Sequence, residues 1–453
     1  MSNTTEPRLE HDSMGAMSVP ADALYGAQTA RAVENFPISA LRPQRPFIRA
    51  LGLIKAAAAR VNGRHGWVDS AQAAAIERAS LDVAEGKHDD QFVVDIFQTG
   101  SGTSTNMNAN EVIGHLAGAH PNDEVNRGQS SNDVFPSAMH IAAVESATHH
   151  LMNALDLLAR ELSRKSREFH DVIKIGRTHL QDAVPMRLGQ EFSGYARQIR
   201  NAIARLTPAI EGLYELPLGG TAVGTGLNAP AGFAAETIAE ISHITGLPFV
   251  EAPNHFEAQA ARDAVVHLSG ALRGLAVALT KIANDVRWLG SGPRCGFGEL
   301  RIPPVQPGSS IMPGKVNPVI AESLLMVCAQ VVGYDAAIAW CGAAGNFELN
   351  VMMPLMAWNI LESISILGAA SKNFERRLVS GLEADRERAF SMVENSLAMG
   401  TALAPEIGYD AAATLVKNAY LTRRTVREVA LEQSSLSTEK IAGLLDPARQ
   451  SGA

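Results

Sequence analysis

Apolar residues recur at steps of three and four over long stretches of this chain. Val265, Leu268, Leu272, Leu275, Leu279, Ile282, Val286 and Leu289 alternate the two steps and form a heptad seam. Leu188, Phe192, Tyr195, Ile199, Ile203, Leu206, Ile210 and Leu213 nearly repeat it, and Pro208 is expected to kink that helix or mark its break. Ile141 to Phe169, Val319 to Trp340 and Glu348 to Leu367 are further helical candidates. Five long helices with apolar stripes predict a bundle, placed over residues 133–355. Several are Ala-rich on their remaining faces, which predicts burial against other chains. Residues 1–132 mix short helical segments with Gly- and Asn-rich loops, and shorter helices follow over 356–453. The expected fold is all-α, a central long-helix bundle flanked by two smaller, mostly helical domains.

Composition narrows this picture. The 453 residues suit about three domains, and 46 % hydrophobic with 5 % aromatic residues favours packed helices over sheet. A net charge of -8 gives no sign of a nucleic-acid or membrane partner. Cys295, Cys328 and Cys341 form no Cys-x-x-Cys pair, which argues against a disulfide framework and a zinc site. Cys328 and Cys341 fall in helical patterns and read as buried thiols. The first thirty residues lack a charged-then-apolar signal pattern, and no apolar run is read as reaching membrane length. A soluble, cytoplasmic protein is expected, with no metal and no cofactor.

The stretch richest in chemistry is Gly308-Ser309-Ser310-Ile311-Met312-Pro313-Gly314-Lys315-Val316-Asn317-Pro318. Asn317 suits an N-cap and Pro318 the first helical position, so a helix is expected to begin there. Its free N–H groups and dipole favour an anion, and Lys315 adds a full charge beside them. Gly308 and Gly314 let Ser309 and Ser310 ride on a mobile loop. A phosphate loop is excluded: five residues separate Gly308 from Gly314-Lys315 instead of four, and Val316 stands where Ser or Thr belongs. An ordinary capped loop is the competing reading.

Other polar stretches leave the same two choices open. Gln98 to Glu111 packs hydroxyls and amides around Gly100 and Gly102, a surface turn or a carboxylate-holding turn ahead of a helix capped near Ser104 or Thr105. As a dinucleotide fingerprint it lacks the third glycine. His120-Pro121-Asn122-Asp123 and Gln129-Ser130-Ser131-Asn132-Asp133 are rich in turn residues. His179, within Gly176 to Pro185, is by itself better explained as a structural hydrogen-bonder than as a catalyst.

Taken together these stretches resemble the fumarase/aspartase superfamily, in its fumarase form. The likeness includes the N-terminal Met14-Gly15 through Thr29, the three regions around Thr103, His179 and Ser309, and Gly219 to Asn228. It also includes Ser291-Gly292-Pro293-Arg294-Cys295-Gly296, Glu394 to Leu397 and Ile407 to Asp410, and it runs from about residue 8 to about 446. Adenylosuccinate and argininosuccinate lyases carry other residues between the Met-Pro and the Asn-Pro of the Ser309 loop. Aspartases typically carry Gln where His179 stands.

The resemblance implies a class II fumarase activity, the reversible hydration of fumarate to (S)-malate in the tricarboxylic acid cycle. It implies Ser309 as the base that takes the proton, with His179, paired to Glu322, handling the hydroxyl that leaves as water. It further implies substrate binding by Ser101, Gly102, Thr103, Ser130, Ser131, Asn132, Thr178, Ser310, Lys315, Val316 and Asn317. His120, Pro121, Asn122 and Asp123 are implied as a second, peripheral anion site. The implied assembly is a homotetramer whose sites each draw on three chains. The alternatives are an aspartate ammonia-lyase of the same superfamily and a non-catalytic helical scaffold. The physical demand on such a site is clear: proton removal beside a carboxylate creates a doubly negative enediolate, so donors and positive charge must stand where that charge develops.

Overall fold

The structure, a computed structural model, describes residues 6–452. It opens on a hairpin that helical periodicity does not reveal, β1 (Arg8–Asp12) paired antiparallel with β2 (Gly15–Val19). Helices α1 (Ala27–Asn35), α2 (Arg45–Arg64), α3 (Ser70–Ala84), α4 (Thr103–Ala117) and α5 (Ser131–Ser146) follow. A π turn over Ala147–Leu151 leads from α5 into α6 (Met152–Glu168). Strands β3 (Ile173–Thr178) and β4 (Gln181–Arg187) form a second antiparallel hairpin. After it come α7 (Leu188–Glu211), α8 (Phe233–Thr245), α9 (His255–Ala260), α10 (Asp263–Leu289), α11 (Val319–Gly342) and α12 (Met353–Arg377). Shorter helices complete the chain, and the sheets among the described residues are all two-stranded. The fold is all-α in its main elements, as periodicity predicts.

All eight seam positions of α10 are buried, and seven of the eight on the α7 stripe are as well, Ile203 being half-buried. Removing one such leucine to the β-carbon costs about 2–5 kcal/mol. Pro208 does not break α7: it sits in the last turn, and the helix closes three residues later at Glu211. The helix expected from Glu348 begins instead at Met353. Asn350 intervenes, its Nδ2 donating to the Cys341 carbonyl at 2.8 Å while its Oδ1 accepts from Met352 N at 2.9 Å. Such side-chain bonds compete with helix formation.

The expectation that no run reaches membrane length fails, because α10, α11 and α12 are each long and apolar enough to do so by length and composition. The reason is visible on α11. Ala321, Leu324, Cys328, Val331, Ile338 and Cys341 form its buried stripe, while Met326, Val332 and Trp340 leave another face apolar and exposed. The same helix carries Asp335, whose carboxylate accepts from Ser269 Oγ at 2.7 Å and Arg273 Nη1 at 2.6 Å. Cys328 and Cys341 are buried thiols, and burial pushes Cys328 up to about 11.

Packing divides the chain into two compact units that do not follow chain order. The first holds Met1–Asn153, Ala204–Ala276 and Ala329–Gly368; the second holds Ala154–Ile203, Val277–Cys328 and Ala369–Ala453. In the first, α2 is the central helix, packed on α3, α5 and α8 through Leu51, Ile54, Ala57, Ala58 and Val61. The second contains the β3–β4 hairpin and an apolar cluster of Val393, Met399, Leu403, Leu415, Val429 and Leu445.

Within the first unit, His140 on α5 is buried with its Nδ1 3.0 Å from the Glu215 carbonyl. Burial, aided by the Arg262 cation, pushes this imidazole down to about 3, well below the ordinary 6.5. The unfolded chain therefore binds more protons between these values, and stability falls as pH drops from 6.5 toward 3. Urea denaturation at pH 6.5 and pH 5 should show the wild type losing roughly 2 kcal/mol more than His140→Gln. Equal losses would show that His140 is not held neutral.

Candidate functional site

In the first unit the implied binding residues sit at helix N-termini. α4 begins at Thr103, earlier than the cap expected at Ser104 or Thr105, because Gly102 takes the capping position with φ +75° and no side-chain cap. Only glycine fits there: a Cβ would lie 2.0 Å from the Phe135 ring. Gln98 reaches back from before the turn, its Oε1 accepting from Thr105 N at 3.0 Å. Ser101 Oγ and Thr103 Oγ1 are 2.8 Å apart. Two hydroxyls beside a helix start whose own capping residue offers no side chain suit a carboxylate.

The Ser130-Ser131-Asn132 turn starts α5 by a capping box. Ser130 Oγ accepts from Asn132 N at 3.2 Å, and Asp133 Oδ1 accepts from Ser130 N at 2.9 Å. Asp133 Oδ2 accepts from the Gly219 and Thr221 amides, both at 2.9 Å. Asn132 Nδ2 donates to the Ala222 carbonyl at 2.8 Å, so its side chain is engaged with the Gly219–Asn228 loop. Asn106 Nδ2 donates to Ser131 Oγ at 3.1 Å and ties this turn to α4.

His120 caps the π turn Pro121–Val125, its Nδ1 accepting from Asp123 N at 3.1 Å. His120, Pro121 and Asn122 open on a cavity of about 580 Å³ that His11, His115 and Arg8 also line. Asp123 does not line that cavity, and its carboxylate lies 3.2 Å from His120 Nδ1.

In the second unit His179 is not in an open loop. Thr178 pairs with Gln181 across the β3–β4 hairpin, leaving His179 and Leu180 as its two-residue turn, with φ +57° and +59°. Positive φ at both positions is the I′ geometry, which favours Asn-Gly. With non-glycine residues it costs about 1–2 kcal/mol at each. Both residues are exposed, so the turn is a strained projection. Its base is fixed by charge: Arg177 Nη2 donates to the fully buried Glu299 at 2.7 Å, and Lys174 lies 3.3 Å from Glu299 and 3.4 Å from Glu191.

The Ser309 loop is closed on itself. Gly308 N donates to the Lys315 carbonyl at 2.8 Å, and a Cβ on Gly308 would lie 2.1 Å from that oxygen. Asn317 does not cap α11 with its side chain; its Nδ2 donates to the Gly308 carbonyl, and the helix starts at Val319 with the Pro318 carbonyl taking the first helical bond from Glu322 N. Ser309 Oγ accepts from Ile311 N at 3.2 Å and Met312 N at 3.1 Å. Donors aimed at a hydroxyl oxygen stabilise its alkoxide form. The loop is otherwise open to solvent, Ser310, Lys315 and Val316 included, so the desolvated setting such a base requires is not provided by this loop alone.

Lys315, Val316, Asn317 and Glu322 line one cavity of about 900 Å³ together with Leu180, the neighbour of His179. His179 and Glu322 share no hydrogen bond or ion pair among the described residues. No group of three or more His, Cys, Asp or Glu side chains there is placed to hold a metal. Of the supporting residues, Asp133 and Asn106 fall in stretches the sequence singles out but receive no role there, while Glu299 and Lys55 go unmarked. Ser130-x-x-Asp133 is a capping-box signature, and Lys55 is a lone charge within an apolar helical run; those were the available signals.

A family model described as lyase matches residues 15–333, and one described as fumarase C C-terminus matches 400–449. A class II fumarate hydratase from Mycobacterium tuberculosis is 54 % identical over 449 residues, covering 97 % of this chain and 95 % of that protein. One from Ralstonia nicotianae is 50 % identical over 457 residues, covering 98 % and 99 %. The crystal structure of class II fumarase from Schistosoma mansoni superposes with a TM-score of 0.96 at 39 % identity, covering 99 % of both chains.

The strain in the His179 turn is measurable. Leu180→Gly should raise stability by about 1 kcal/mol, since glycine adopts positive φ freely and little apolar surface is lost at this exposed position. Thermal melting would show the gain, and an unchanged or lowered midpoint would mean the turn is unstrained.

Proposed function

The chain belongs to the class II fumarate hydratase family, and on that premise we propose that it interconverts fumarate and (S)-malate by acid–base addition and elimination of water. The observation that carries this reading is the Ser309 loop, with its doubly hydrogen-bonded Ser309 oxygen and the cavity that Lys315, Asn317 and Glu322 line. In the malate-to-fumarate direction, Ser309 Oγ takes a proton from the carbon beside a carboxylate. The charge that develops on that carboxylate meets Lys315, the Asn317 amide and the start of α11. His179, oriented by Glu322, delivers the proton with which the hydroxyl departs as water. Thr103, Ser131 and Asn132 hold the substrate by hydrogen bonds. The activity is that of a carbon–oxygen hydro-lyase, placed in the cytoplasm as a step of the tricarboxylic acid cycle, and it uses no metal or cofactor.

We further propose a homotetramer in which each site combines the Thr103, His179 and Ser309 regions of three chains. Two features support it. His179 and Glu322 lack a mutual bond within one chain, and α11 leaves Met326, Val332 and Trp340 exposed on a face that adjoining helices would cover. A neighbouring chain would also exclude water from the Ser309 loop.

Malate added to the pure protein should raise ultraviolet absorbance as fumarate forms, with EDTA present or absent, while aspartate should release no ammonia. Comparable turnover of aspartate would make the chain an ammonia-lyase. Ser309→Ala and His179→Asn should each lower kcat by about a hundredfold or more. Unfolded together and refolded, these two variants should recover activity, because about a quarter of mixed sites carry both native residues. A tetrameric mixture that stays inactive would place both residues of a site on one chain.

A further inference from the structure

Lys55 stands in the middle of α2, in the run Leu51-Gly52-Leu53-Ile54-Lys55-Ala56-Ala57, and exposes none of its surface. A charge in such a place costs several kcal/mol unless it is bonded, and a methionine of similar volume would pack there without that cost. Burial pushes the amine down to about 7, opposed by the Asp133 carboxylate on α5. The position therefore keeps a costly group where the core alone would favour an apolar one.

What the lysine does is visible in its bonds. Its Nζ donates to Asn126 Oδ1 at 2.9 Å. The same oxygen faces Asn106 Nδ2 at 3.3 Å and Asn110 Nδ2 at 3.2 Å, both from α4. Asn106 and Asn110 stand one and two turns beyond Thr103, on one face of that helix. Asn126 Nδ2 donates to the Gln129 carbonyl at 3.1 Å, directly before Ser130. Asn106 Nδ2 also donates to Ser131 Oγ at 3.1 Å. One buried lysine thus anchors an amide cluster that joins α2, the helix headed by Thr103 and the Ser130–Asn132 turn.

We propose that Lys55 is a positioning residue for the dicarboxylate: acting through Asn126 and Asn106, it fixes the spacing between the Thr103 turn and the Ser130–Asn132 turn. The proposal rests on the fumarate hydratase reading for the identity of the ligand. Lys55 itself does not meet the substrate. Its effect falls on how well two preset groups of donors match the carboxylates of a four-carbon diacid, which is a matter of fit.

The test uses the full-length chain with Lys55→Met, which keeps the volume and removes the donor, and Lys55→Gln, which keeps a donor. Lys55→Met should raise KM for both malate and fumarate by about tenfold while kcat falls less than threefold, and Lys55→Gln should restore part of the loss. Hydrogen exchange at the amides of residues 126–133 should quicken in Lys55→Met while those of α3 keep their rates. A folded Lys55→Met enzyme with unchanged KM would overturn the proposal, leaving the lysine a core residue only. Should Lys55→Met fail to fold, Asn106→Ala carries the same test. It leaves the Lys55–Asn126 bond in place and removes the link to Ser131, and an unchanged KM there would equally overturn the proposal. If the wild type turns over neither acid, the functional reading fails, and hydrogen exchange decides alone: quickening confined to 126–133 supports the positioning role, and its absence overturns it.

Discussion

A carboxylate taken out of water must find its hydrogen bonds within the chain, and Asp133 finds three of them on backbone amides. That requirement organises the first unit. To satisfy one oxygen, the chain must turn at Ser130 and start α5 there. To satisfy the other, the Gly219–Thr221 segment must fold against the same helix end, which brings the Ala222 carbonyl to Asn132. With Ser130 and Asp133 committed to each other, Ser131 is left to face Asn106 and the turn beyond it. Loss of the carboxylate would strip three buried N–H groups of their acceptor at once, a larger penalty than any single exposed contact in the unit carries.

The second unit meets a different constraint. A strained turn persists only when its surroundings over-determine it, and both residues of the His179–Leu180 turn are exposed. The grip is applied lower down. Glu299, without exposure, holds Arg177 and Lys174 on β3, and Arg177 also lies over the Phe297 ring at 4.2 Å. Phe297 and Glu299 belong to the segment that leads into the Ser309 loop. The two candidate catalytic elements of this unit therefore share one charged footing.

How much of this was legible in the sequence depends on the distance over which each interaction acts. The seams of α7 and α10 were plain because periodicity is local and burial enforces it. Helix starts were misplaced wherever a cap residue had a better partner: Asn317 turned to Gly308, and Gly102 replaced Ser104 because only a glycine clears Phe135. The His179 turn was invisible as a hairpin because its residues are not the ones the turn favours. Glu299 meets Arg177 across 122 positions and Lys55 meets Asn126 across 71, separations at which no local pattern signals a pair. The site residues that resemblance implied were legible as polar clusters. Their supports were not, because a lone buried charge looks like any other surface lysine or glutamate until the fold encloses it. Nor did chain order reveal the division into two compact units, each built from three separated segments.

The exposed apolar face of α11 has a consequence for how the protein behaves on dilution. In the proposed assembly that face is stabilised by mass action, so the free energy holding the fold grows with the logarithm of protein concentration. Heat tolerance is then a property of the solution as much as of the chain. In that assembly dilution would release subunits, and each freed subunit would offer Met326, Val332 and Trp340 to whatever apolar surface it met first. For such a protein the hazard of low abundance is adhesion to the wrong partner, and the protection against it is to be made in quantity.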